Sequence, residues 1–266
     1  MKIFDKSAGR ERGEIMKKLL LQSALLAAGF LLLAGCTNVA TFDYSAAAEP
    51  MVSFAGPPEA KSIAVLPFLD QRSRKSQQQL TPAADSGSFY LGLLPLMPYG
   101  YVKKPFPERS DDFVSLGRFH FNPSLDLAEA SVLSLKASRL FGRVELADSA
   151  GRTDAEYLWR GSVNNTFYSG AMLTYCISYF LSPALWAVGT PEGVSRNALG
   201  VSFELVERAT GRIVWRYDYD GEDYIVHWIY ARIGKDVSLY ADLMRQALNL
   251  ALSDLAPRLP ELQRSR

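Results

Sequence analysis

Residues 19–34, LLLQSALLAAGFLLLA, carry no charge; Lys17-Lys18 precede them and Gly35-Cys36 comes next. The run is shorter than the roughly 20 apolar residues a membrane-spanning helix needs. A basic stretch, an apolar stretch and small residues, in that order, have the anatomy of a secretory signal peptide. The segment therefore reads as an address, and the folded body must be built from the residues C-terminal to it. Residues 1–15 include Asp5, Glu11 and Glu14, which are unusual ahead of such a signal, so Met16 is the expected start.

The tetrad Leu33-Ala34-Gly35-Cys36 resembles the lipobox of bacterial lipoproteins, with all four positions fitting. That resemblance implies lipid attachment to the Cys36 sulfur, cleavage before Cys36 and acylation of the new N-terminus. Each buried CH₂ contributes about 0.8 kcal/mol and a single chain holds only marginally, so the three chains implied would anchor the protein effectively permanently. Position 37 is Thr. In Gram-negative lipoproteins an Asp there tends to retain the protein at the inner membrane, so the resemblance implies the outer membrane, facing the periplasm. Two alternatives stay open on the residues alone: Cys36 as an ordinary thiol after a conventional signal, or an uncleaved anchor.

Residues 1–35 hold six of the 29 basic and three of the 28 acidic side chains of this 266-residue chain. The remaining 231 residues carry 23 and 25, a net charge of −2. With 48% hydrophobic and 21% charged residues overall, the proportions are those of a folded domain and exclude wholesale disorder. The lack of a basic excess argues against nucleic-acid binding. Two cysteines exclude a disulfide scaffold, and two histidines leave little material for a metal or His-based centre. No G-x-S-x-G, H-E-x-x-H or P-loop occurs, so neither a cofactor nor an enzymatic activity is expected.

The Ala-, Ser-, Pro- and Gly-rich residues 37–60 read as a tether, making 36–60 a lipidated linker and 61–266 one domain. Residues 62–68, SIAVLPF, read as a buried strand ended by Pro67. Residues 74–122 show no convincing periodicity. A helix is predicted from Asn122-Pro123 through Leu140, with Leu125, Ala128, Val132 and Leu135 at helical spacing and Gly142 as its stop. Strands are expected next at 143–146 and from Tyr157 to Val163. Residues 198–207 and 213–217 make the clearest hairpin. Residues 237–256 form an amphipathic helix with Tyr240, Leu243, Met244, Ala247, Leu248, Ala251 and Leu255 on one face, ended by Pro257. The order gives an α/β (α+β) fold: a mixed β-sheet flanked by helices, with a long C-terminal amphipathic helix and an insert between strands.

Two segments stand out as contact surfaces. Residues 89–106 are aromatic and rich in Pro and Gly, and are expected to lie across the domain's own core. Residues 161–191 carry no charge, and 171–189 within them are almost wholly apolar. This insert reads as a hairpin over the sheet, a subunit contact or a piece that dips into a membrane. Tyr99, Tyr101, Tyr179, Phe180 and Trp186 suit interface anchors. Cys176 reads as a small buried hydrophobe. His120 and His227, each between apolar neighbours, read as structural histidines. Asp218, Asp220, Glu222 and Asp223 surround Gly221 and read as a solvated turn; as paired carboxylates they would suit glycoside hydrolysis.

The phrase SIAVLPFLDQRS, the helix ending at Leu140-Phe141, the strand YLWRG and LVERATGRIVW before a last helix resemble, in their order, a group of periplasmic lipoprotein domains. The group includes the TolB N-terminal domain, the curli secretion lipoprotein and lipoproteins that activate peptidoglycan synthases. It implies an assembly or scaffolding role and brings no catalytic residues; envelope proteins, with self-association, are the expected partners, and a ring-forming export channel in which 171–189 meets the bilayer is the alternative.

Overall fold

The computed structural model describes residues 39–44, 59–72, 87–89, 99–104, 109–110, 118–177, 181–231 and 238–260. In chain order the elements are β1 (Val39–Thr41), β2 (Glu59–Val65), β3 (Leu69–Asp70), β4 (Gly87–Phe89), β5 (Tyr99–Lys104), β6 (Arg109–Ser110), β7 (Arg118–His120), α1 (Pro123–Ser138), β8 (Phe141–Leu146), β9 (Tyr157–Leu173), α2 (Ser182–Ala187), β10 (Gly193–Glu207), β11 (Ile213–His227) and α3 (Ser238–Leu255). The fold is a mixed sheet with helices packed on it, as the order of elements implies.

Among the described residues eight strands share one sheet, with the path β11-β10-β9-β2-β8. β9, β10 and β11 are antiparallel over nearly their whole lengths, from Gly193↔His227 and Gly193↔Met172 at one end to Leu205↔Trp215 and Glu207↔Tyr157 at the other. At 3.4 Å per residue each runs about 50 Å or more, well beyond an ordinary strand. One half of this ribbon joins the parallel strands β2 and β8. The other half carries β5 antiparallel on β9, with β4 beyond it.

Side-chain alternation fixes which face is covered. Leu199, Val201, Phe203 and Leu205 of β10 join the same buried cluster as Leu127 and Leu135 of α1 and Leu243, Leu248 and Leu255 of α3. Trp159 lies between Phe203 and Trp215, at ring-centre distances of 5.3 and 5.6 Å. All seven residues of the expected apolar face of α3 are buried. α1 starts with Pro in its first turn, and the carboxylate of Asp126 accepts the N–H of Asn122 at 2.7 Å. It stops short of Gly142, because Arg139 takes the left-handed conformation (φ 59°) and turns the chain into β8.

Of the 36–60 stretch read as a tether, residues 39–44 join the folded body and Glu59 and Ala60 open β2. β1 pairs in parallel with β7, and the Tyr44 ring is buried, its hydroxyl 2.7 Å from Ser134 Oγ on α1. Phe42 stacks on Phe121 at 5.4 Å, and Phe121 on Tyr240 at 4.7 Å. Residues 39–44 are thus part of the folded body, held by aromatic stacking that composition did not reveal. Likewise the stretch without periodicity contributes β4 to β7, which are short and draw their register from neighbours rather than from a pattern of their own.

Candidate interaction surface

The expected insert proves to be the end of the β9–β10 ribbon and the loop that caps it. Ala171, Met172 and Leu173 complete β9, and residues 174–192 make the connection to β10. The loop is pinned from inside. Trp186 is 5% exposed, and its indole N–H donates to the carbonyl of Leu173 at 3.0 Å. It packs with Met172, Tyr175 and Ile229. Ser182 donates to the Thr174 carbonyl at 3.0 Å, and the Tyr175 hydroxyl to that of Pro191 at 2.7 Å. From the neighbouring strand's end, the Tyr230 hydroxyl reaches the Ala187 carbonyl at 2.6 Å.

While these groups point in, others point out. Ile177, Leu181 and Val188 are 37, 62 and 78% exposed. They occupy a capping loop at the end of the ribbon, within the stretch of chain that lacks charge. Proline and tryptophan in a short helix, with a left-handed turn at Tyr175 (φ 51°) and Cys176 (φ 65°), hold the loop's course. Among the described residues of the loop, apolar side chains are thus left in water beside buried ones that pin it.

The anchors expected from the sequence divide accordingly. Trp186, one of the expected interface anchors, is buried within its own chain and acts as the loop's internal pin. Tyr99 and Tyr101 stand on β5 in register with Leu173 and Ala171, so the aromatic segment is joined to the insert by backbone pairing. Tyr179, Phe180 and Cys36 lie outside the described residues. Cys176 is exposed, not buried, because the left-handed turn directs it away from the core. His227 is fully buried, its Nε2 3.0 Å from Ser195 Oγ, as a structural histidine should be. His120 is exposed on β7.

The acidic cluster is no turn. Asp218, Asp220 and Glu222 lie within β11, on the face opposite Tyr217 and Tyr219, which pack against the core. Along the open face Arg160, Glu204 and Arg216 form a row of ion pairs, and Arg216 also pairs with Asp218. Glu222 pairs with Arg196 of β10. Beside them Asn164 donates to Ser202 Oγ at 2.6 Å, where a bulge in β9 places Asn164 as an extra residue between the partners of Gly200 and Val201. Asn164, Asn165, Ser202, Arg216, Asp218 and Asp220 line a shallow cleft of about 400 Å³ there. Among the described residues no group of three or more His, Cys, Asp or Glu is arranged to hold a metal.

The two carboxylates are driven in opposite directions. A hydrogen bond from Ser202, with help from Arg216, holds Asp218 below the usual carboxylate range. Burial, with Glu222 nearby, pushes Asp220 up despite a hydrogen bond from Asn165. A lowered carboxylate stabilises the fold above its unfolded-state pKa, and that contribution is lost as pH falls through the folded value; a raised one does the reverse. At neutral pH Asp218→Asn should therefore lower the melting temperature and Asp220→Asn raise it, each by about 1–2 °C given their exposure. Thermal unfolding followed by circular dichroism should show the two variants converge on the parent as pH drops and both groups protonate.

No family model matches the chain, and no curated protein matches it in sequence. Solved structures similar to it include a Xanthomonas campestris protein of the DUF330 family, at 10% identity over 86% of this chain and 98% of that one, with a TM-score of 0.39. A PelC dodecamer from Paraburkholderia phytofirmans is similar at 13% identity over 77% and 94%, TM-score 0.34. A neuraminyllactose-binding hemagglutinin homologue from Helicobacter pylori is similar at 9% identity over 83% and 92%, TM-score 0.36. These likenesses do not reproduce the TolB-like and curli-secretion-like group that the sequence resembles.

Proposed function

We propose that this chain is a non-enzymatic, lipid-anchored structural or interaction protein of the bacterial outer membrane, facing the periplasm, that serves envelope assembly or export through protein–protein contacts, self-association included. The signal-like run ending at Cys36 supports the anchor. The observation that carries the interaction role is the capping loop: Trp186, Ser182 and Thr174 are buried to fix it, while Ile177, Leu181 and Val188 face water. A loop held this firmly has no need of exposed apolar side chains for its own stability; another protein surface has use for them.

Burying each such side chain is worth about 1.5–3 kcal/mol. The pair Leu181→Asp and Val188→Asp should therefore weaken assembly or partner capture at least about tenfold, while the melting temperature stays put because both sites are solvent-exposed. Native mass measurement of the detergent-extracted protein, with and without the two substitutions, reads this directly. An unchanged mass and an unchanged set of co-purifying envelope proteins would overturn the contact reading.

A further inference from the structure

We infer that the folded body rests directly on the lipid headgroups instead of standing off on a flexible tether. The inference depends on the lipid-anchor reading of Cys36 and goes beyond it, because the anchor alone says nothing of distance. Only Thr37 and Asn38 separate Cys36 from Val39, the first residue of β1. Consecutive Cα atoms are 3.8 Å apart, so Val39 lies no more than about 11 Å from the Cα of a lipidated Cys36. The polar zone of a bilayer is itself about 5–8 Å deep on each side. A β1 that is part of the fold therefore puts the body at the membrane surface.

What makes this a property of the body is how firmly β1 is joined to it. Val39, Ala40 and Thr41 pair with Arg118, Phe119 and His120 of β7, and β7 runs straight into Phe121 and α1. Just after β1, Phe42 stacks on Phe121, and Tyr44 is buried against Ser134, with the Arg245 guanidinium 5.9 Å from its ring centre. Aromatic stacks of this kind stabilise beyond the burial of their area. The short covalent link, and not an affinity of the fold for lipid, thus sets the β1–β7 edge against the lipid surface.

The test uses the full lipidated chain in liposomes. The Cys176→Ser background leaves His120→Cys, exposed on β7, as the site for a donor fluorophore, and an acceptor dye is placed on lipid headgroups. A Gly/Ser insertion of about 24 residues after Asn38 adds roughly 27 Å of mean span. Energy transfer should fall at least about twofold on insertion, with the protein still in the membrane fraction. Tyr44→Ala, which unpins the segment just after β1, should move transfer in the same direction. Equal transfer with and without the insertion, in membrane-bound protein, would overturn the inference and leave the anchor reading intact. Protein absent from the membrane fraction would instead overturn the anchor reading, and this inference with it.

Discussion

Trp186→Ala is expected to lower the melting temperature by about 6–20 °C, although the residue lies in the capping loop proposed as the contact surface. Removing a buried Trp side chain costs about 3–5 kcal/mol, and about 2–4 °C of melting temperature goes with each kcal/mol in a domain of this size. The loss has identifiable parts. The Leu173 carbonyl loses its indole donor, 3.0 Å away, and Met172, Tyr175 and Ile229 lose the ring they pack on. Nothing polar remains to fill the gap, so the capping loop opens first and the β9–β10 ends fray behind it. Trp186→Phe should recover part of the packing without the hydrogen bond and fall between the two. An exposed hot spot would behave oppositely, losing partner binding with no change in melting; calorimetry on the three proteins separates the cases.

The same residue shows what was legible in the sequence. That 171–189 is a distinct apolar segment was readable from its lack of charge; that its first three residues complete β9 was not. Which of its side chains face in was not, because an apolar run of this length has no alternation to assign faces. Long strands hid for a related reason. The sequence marks β9 only to Val163 and β11 only to Tyr217, yet both run on about ten residues, to Leu173 and His227. In β11 the continuation reads YDYDGEDY. Asp and Gly are poor strand formers. Tyr217 and Tyr219 nevertheless pack on the core while β10 pairs along the full length, so tertiary pairing overrides local preference. The period of two was present in Tyr217-Asp218-Tyr219-Asp220, and weighing it above propensity would have found the strand. By contrast α3 was legible to within a residue or two, because seven apolar positions at helical spacing outvote any local ambiguity.

Cys36→Ser is expected to move the protein almost wholly from the membrane fraction to the soluble one. Each buried CH₂ contributes about 0.8 kcal/mol, and anchoring that lasts takes more than one acyl chain. Serine keeps the backbone and most of the side-chain volume but offers no thiol for the lipid to be joined to. Among the described residues no helix is long and apolar enough to cross a membrane. The exposed apolar residues of the capping loop, Ile177, Leu181 and Val188, could bury only a few side chains, a marginal hold compared with three chains. Fractionation of cells expressing each form, with a high-salt wash to strip peripheral contacts, gives the answer. Retention of Cys36→Ser in the washed membrane pellet, with residues 19–34 shown by mass measurement to have been removed, would refute lipid anchoring. If that retention vanished on adding Leu181→Asp and Val188→Asp, the capping loop itself would be what holds the membrane, and lipid rather than protein would be the partner of that face.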